Sequence, residues 1–250
     1  LAELRDEYGG TMIDWGRLVN LQKYTPLEMF LFGVGCYLWV LVYFIYVKEI
    51  RRKGFIEMPA FAACGNIGWE FVWGFLAVTD MGPLLQWCYR IWFFFDLFIF
   101  ASVLRDGGRQ VMTPAIRKSF RPLAIFTAFA WGTSFFTMIR SGLDTPIGAN
   151  SAYILNLAIA VLYIFLLLQQ TDPYRFSMPV AWLKMIGTGM NTVFMNIHAE
   201  YAHNYFLRFI AILTTTLDCV YIYLLWRARS ESRAAASSRS AVPNPSSKPA

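Results

Sequence analysis

Seven stretches of this chain are each long and apolar enough to cross a bilayer, and they leave room for little else. A hydrocarbon core about 30 Å thick takes roughly 17 to 25 residues of helix. Read with that ruler, the spans fall at 27–47, 58–78, 83–104, 122–140, 149–168, 179–197 and 205–226. The ends and loops that remain are too short for a soluble domain, which needs about 50 residues or more. Composition agrees, because 57% of the 250 residues are apolar and 15% are charged, against about 25% charged in soluble domains. The expected fold is therefore all-α: an integral membrane protein built as a seven-transmembrane-helix bundle. It divides into an N-terminal interfacial segment (1–26), a membrane domain (27–226) and a disordered tail (227–250).

Punctuation supports these boundaries. Pro59, Pro83, Pro122 and Pro179 stand near helix starts, where a missing amide hydrogen costs little, and Gly54, Gly82, Gly107 and Gly142 fall in turns. Lys and Arg alternate from loop to loop, with 15 on one side of the membrane and 4 on the other if the N-terminus is outside. The positive-inside rule then makes the tail cytoplasmic. The net charge of +6 is explained the same way, as contact with anionic lipid, and not as a nucleic-acid groove. Trp15, Leu18 and Val19 suit the interface. Cys36, Cys64, Cys88 and Cys219 lie in apolar stretches without close pairing, so neither a disulfide framework nor a zinc site is expected.

Polar residues at bilayer depth are costly, which makes them the informative part of such a chain. Glu28, Lys184 and Arg208 lie within a turn or two of a helix end and are expected to reach the headgroups. Arg90 sits deeper, suited to an ion pair or to snorkelling. Asn66, Glu70, Asp96, Asn191 and Asp218 are left. Measured from the basic ends at about 1.5 Å per residue, Glu70 is about 18 Å deep, and Asp96 and Asp218 about 12 Å. Three carboxyl groups from three helices thus share one layer, and a buried polar chamber follows.

Asn66, Glu70 and Trp73 share one face of the second span, and Thr214, Asp218 and Tyr221 stand at matching intervals on the seventh. Gly65 and Gly68 permit close approach of another helix. Burial disfavours ionisation and neighbouring carboxyls titrate apart, so one can hold its proton at neutral pH beside an acceptor. The pattern supplies an acid without a metal. Of the surrounding aromatics, Trp69, Trp73 and Tyr221 are the candidates for stabilising a cation.

Other chemistries lack their residues. His198 and His203 are the only histidines, five apart, off the spacing of a zinc-protease helix and too few for a membrane di-iron site. Phosphate-cradling glycine loops, a serine nucleophile elbow and paired aspartate boxes for magnesium diphosphate are missing, and the seventh span has no lysine for a retinal Schiff base. No metal and no cofactor are expected.

The stretch Cys64-Gly65-Asn66-Ile67-Gly68-Trp69-Glu70-Phe71-Val72-Trp73 resembles the second helix of the transmembrane terpene cyclases of meroterpenoid and indole-diterpene pathways, the paxB family. Length and seven spans are similar, and Asn66, Trp69, Glu70 and an acidic residue in the last helix, Asp218, match the family pattern. The resemblance implies cyclisation of a linear, often epoxidised prenyl chain on an aromatic or indole head, without release of diphosphate. It also implies a prenyltransferase and an epoxidase upstream. On that reading Glu70 is the initiating acid. Asp218 either tunes that acid or closes the reaction as base, Asn66 orients the acid, and Trp69, Trp73, Asp96 and Tyr221 line the substrate site. The membrane would be endoplasmic reticulum in a fungus and plasma membrane in a bacterium. The rival from another class is a seven-helix transporter or receptor, with Glu70, Asp96 and Arg90 as a proton relay or as counter-ions, and a structural scaffold is a third.

Overall fold

The computed structural model describes residues 18–110 and 113–240. Seven long helices account for most of them: α1 (Pro26–Lys53), α2 (Ala60–Phe71, continued by a π-helical turn Val72–Leu76), α3 (Pro83–Asp106), α4 (Phe120–Arg140), α5 (Ala149–Leu168), α6 (Met178–Ile197) and α7 (Tyr205–Ser240). No strand occurs among the described residues. Each helix stands on one of the seven expected spans. Five of them, α1, α3, α4, α5 and α7, are long and apolar enough to cross a membrane on length and composition alone. The two that are not, α2 and α6, carry four of the nine polar residues singled out above, Asn66 and Glu70 on one and Lys184 and Asn191 on the other.

Local chemistry explains where the helices begin and stop. Thr25 and Glu28 form a capping box at the start of α1, with Pro26 in the first turn, and Gly54 closes the helix in the left-handed conformation (φ 61°). Ser177 caps α6 by accepting from the amide of Val180. Glu28 is buried, spent on this cap and on His198 Nδ1 at 3.1 Å. It does not reach toward headgroups as expected, because the cap offers it backbone donors.

In cross-section α1, α6, α7, α5, α2 and α3 pack in that order, with α3 closing the ring on α1, and α4 lies outside against α2. Residues Ala62 to Glu70 of α2 are buried without a break. Gly68 sits so close to α4 that a Cβ there would lie 2.8 Å from the amide nitrogen of Gly132. Small residues at these crossings let helices meet in lipid, where hydrophobicity supplies little force between them.

The segment after the last span departs from expectation. Residues 227–240, anticipated as a disordered tail, continue α7 as helix, while 241–250 and 1–17 lie outside the described residues. Arg, Ala and Glu are good helix formers. The turn at Pro173–Arg175 also holds the extension: Arg229 donates to the carbonyl of Phe176 at 2.5 Å, and Tyr174 donates to the carbonyl of Arg229 at 3.2 Å.

Candidate active site

The ring encloses a cavity of about 110 Å³ lined from α1, α2, α3, α5 and α6. Its acid end belongs to α2. Asn66 and Glu70, one turn apart on the same face, both reach the wall, and both are buried. Facing them from α1 is Tyr43, whose hydroxyl oxygen lies 2.8 Å from Glu70 Oε1 and 3.1 Å from Asp96 Oδ2. Asn66 Nδ2 donates to the same oxygen at 3.1 Å.

That geometry allows a proton count. A phenol carries one proton, so it can donate to only one of the two carboxyls. Asn66 fills one acceptor position on the oxygen. The remaining contact becomes a hydrogen bond only if the other carboxyl is protonated and donates to Tyr43. Three helices thus converge on an arrangement that stores one exchangeable proton. Glu70 Oε2 and Asp96 Oδ1 have no hydrogen-bond partner. Of these two residues only Glu70 lines the cavity, and Asp96 stands behind it.

An aromatic wall flanks the acid. Trp69 donates from Nε1 to Ser151 Oγ at 2.7 Å, and Ser151 in turn donates to Asp144 in the loop before α5. Tyr89 meets Trp69 edge to face, with centroids 5.2 Å apart and planes at 85°, and donates to the carbonyl of Ile147 at 2.8 Å. Trp69 is therefore a ring fixed at its polar atom in the cavity lining. Trp73 lies one turn further along, buried in the π-helical turn against Gly148, and is not part of the cavity wall.

Asp218 is elsewhere. Its carboxylate is ion-paired with Lys184, and both side chains are almost fully buried. Three cavity residues have their neighbours one turn toward the basic ends in this second layer: Tyr43 leads to Tyr46 on α1, Ile159 to Tyr163 on α5, and Thr188 to Lys184 on α6. Tyr46 and Tyr163 share a hydrogen bond, and Tyr221 packs on Tyr163 at 5.2 Å. Lys184, expected at the headgroups, is buried because Asp218 gives it a partner. The acid brought to Glu70 is accordingly Asp96, through Tyr43. Arg90 is occupied too: its Nε donates to the carbonyl of Gly74 at 2.9 Å, and its guanidinium lies over Trp87. This satisfies a carbonyl that the π-helical turn leaves open.

Tyr43 is the residue that sequence reasoning missed. Among so many tyrosines on apolar helices it gives no signal by itself. One faint sign was available: it is one turn from Tyr46, so that two phenols share a face of α1. Among the described residues no group of three or more His, Cys, Asp or Glu side chains is placed to hold a metal ion.

A helical membrane protein with a carboxylic acid held beside aromatic rings in a largely apolar chamber is suited to generating and guiding a carbocation. The comparisons agree in kind. Residues 19–231 match the family described as Pyr4-like transmembrane terpene cyclases, and the chain belongs to that family. The terpene cyclase ascF of Acremonium egyptiacum is 22% identical over 233 residues, covering 84% of this chain and 85% of its own. No solved structure matches.

Proposed function

We propose that the protein cyclises a linear prenyl chain carried on an aromatic or indole head, by an acid-initiated reaction that needs no metal and releases no diphosphate. The observation that carries this reading is the buried Glu70 carboxyl in the cavity lining, whose Oε1 shares the Tyr43 hydroxyl with Asp96. Glu70 donates its proton to a terminal epoxide oxygen or olefin carbon, and the developing tertiary cation is folded against Trp69 and Tyr89. Tyr43, itself held by Asn66, donates to the carboxylate left behind. The proton given at the start is matched by one removed from carbon at the end and returned to the Glu70–Tyr43–Asp96 cluster, so the conversion is an isomerisation. Exclusion of water by the apolar wall protects the cation from capture.

Asp218 is assigned a different part. Ion-paired with Lys184 one turn beneath the chamber, it is a positioning residue that sets the floor on which the chain folds. With the basic helix ends in the cytoplasm, the acid lies toward the middle of the membrane, where a prenyl chain dissolved in lipid reaches it.

The test is product formation in cells that supply an epoxidised prenyl-aromatic precursor. Glu70→Gln is expected to abolish product at unchanged protein level, and Tyr43→Phe to lower it by roughly a hundredfold, the lower end of what a positioned acid contributes. Undiminished product from Glu70→Gln would remove the acid assignment.

A further inference from the structure

The cavity has a second polar end that the acid chemistry does not use. Thr188 and Asn191 stand at i and i+3 on α6, on one face, and both line the chamber. Serine and threonine in a helix commonly satisfy their hydroxyl on the carbonyl four residues back, and this molecule follows that habit at Ser102, Ser134, Thr137, Thr192, Thr215 and Thr216. Thr188 does not. Its side chain is buried, 3% exposed, with Oγ1 unpartnered. The Asn191 carbonyl oxygen is likewise buried without a partner. It is lodged against Gly35 of α1, where a Cβ would collide with it. Tyr153, the nearest phenol on α5, is already committed to Thr192 at 2.8 Å.

Gly35 and Tyr43 are eight residues apart on α1, which separates the two polar ends by about 12 Å along the helix. Cys36 and Trp39 line the chamber between. An occupant matched to these walls has a hydrogen-bonding group at one end, a reactive carbon at the other, and apolar substance between.

Resting on the reading of Glu70 as the acid, the geometry points to Thr188 and Asn191 as the subsite that receives the polar head of the substrate, through a hydroxyl that donates a hydrogen bond. A buried carbonyl oxygen and a buried hydroxyl without protein partners cost free energy that such a donor restores. The subsite fixes the distance from the head to the acid. It thereby selects which carbon of the chain is protonated.

The test separates binding from turnover. The probes are a phenol bearing a saturated, branched fifteen-carbon chain, which has no olefin or epoxide to protonate, and its methyl ether, which lacks only the donor. Dissociation constants are measured on the full chain in lipid nanodiscs, through quenching of the cavity tryptophans. Wild type is expected to bind the phenol roughly fivefold tighter than the ether. In Asn191→Leu and Thr188→Val the ratio falls toward one while ether affinity is kept. Valine is nearly the shape of threonine, so Thr188→Val decides the matter if Asn191→Leu does not fold. A phenol preference that survives in Thr188→Val, or that wild type never shows, overturns the subsite. Product from Glu70→Gln would sink the acid assignment and leave this ratio untouched, so the two failures are distinguishable.

Discussion

At the scale of single residues, the decisive feature is how buried charge is partnered. Lys184 and Asp218 neutralise each other with side chains almost fully buried, and breaking such a pair from one side costs about 3–5 kcal/mol, because the partner is left charged in a low dielectric. Replacing both by apolar residues is often neutral or stabilising. Lys184→Met alone is therefore expected to reduce folded protein, read as the monodisperse peak in size-exclusion chromatography, and Lys184→Met with Asp218→Leu to restore it. If the double variant also turns over substrate, Asp218 acts as a positioning group. A double variant that folds and makes no product would return Asp218 to the chemistry. Glu70 obeys the opposite logic, since it faces no cation and its neighbours are a phenol and a second carboxyl.

Two features at the scale of elements govern how the helices come together. Gly68 of α2 meets α4 so closely that a Cβ would lie 2.8 Å from the amide nitrogen of Gly132 and 2.9 Å from the carbonyl of Ala128. Backbone atoms cannot step aside as the end of a flexible side chain can. Gly68→Ala should force the helices apart at a cost of about 1–3 kcal/mol, seen as a lower midpoint in thermal unfolding. The loop from α1 to α2 is tied to α6 by Glu57, whose Oε1 accepts from the amide of Ser177 at 3.0 Å. Burial pushes the Glu57 carboxyl up to about 8. Between the ordinary value of 4.5 and about 8 the folded protein holds a proton that the unfolded chain has lost, so stability declines as pH rises through that window. Glu57→Gln is expected to flatten this decline, checked by melting midpoints at the two ends of the range.

The whole molecule decides how a substrate gets in. At about 110 Å³ the chamber alone is below the roughly 300 Å³ at which pockets for sizeable ligands begin. Beside it, between α1 and α3, runs an apolar groove of about 320 Å³ that shares Phe32, Cys36 and Trp92 with the chamber and includes the exposed Tyr37 and Ile91. A Cβ at Gly33 in this groove would touch nothing within 4 Å, so a side chain can leave the helix there without meeting its neighbours at Cβ. Gly33→Phe is expected to leave the melting midpoint unchanged and to lower kcat/KM for a long-chain substrate by tenfold or so. Unaltered kinetics would show that the chain takes another path.

The hydropathy pattern placed the seven helices along the chain, though not the end of the last one, because lipid demands long apolar helices and offers the backbone no other partner. It also marked Asn66 and Glu70, since polar groups stand out where they are expensive, and both line the chamber. Pairing was beyond it. Depth along each helix put Asp96 and Asp218 in one layer with Glu70, but whether two side chains meet depends on how each helix is rotated about its axis and on which neighbour it has, and both are set by packing across the ring. That is why Tyr43 and Asp96 came to Glu70 while Lys184 took Asp218, and why a tyrosine with nothing in its local sequence to distinguish it became the bridge between two acids.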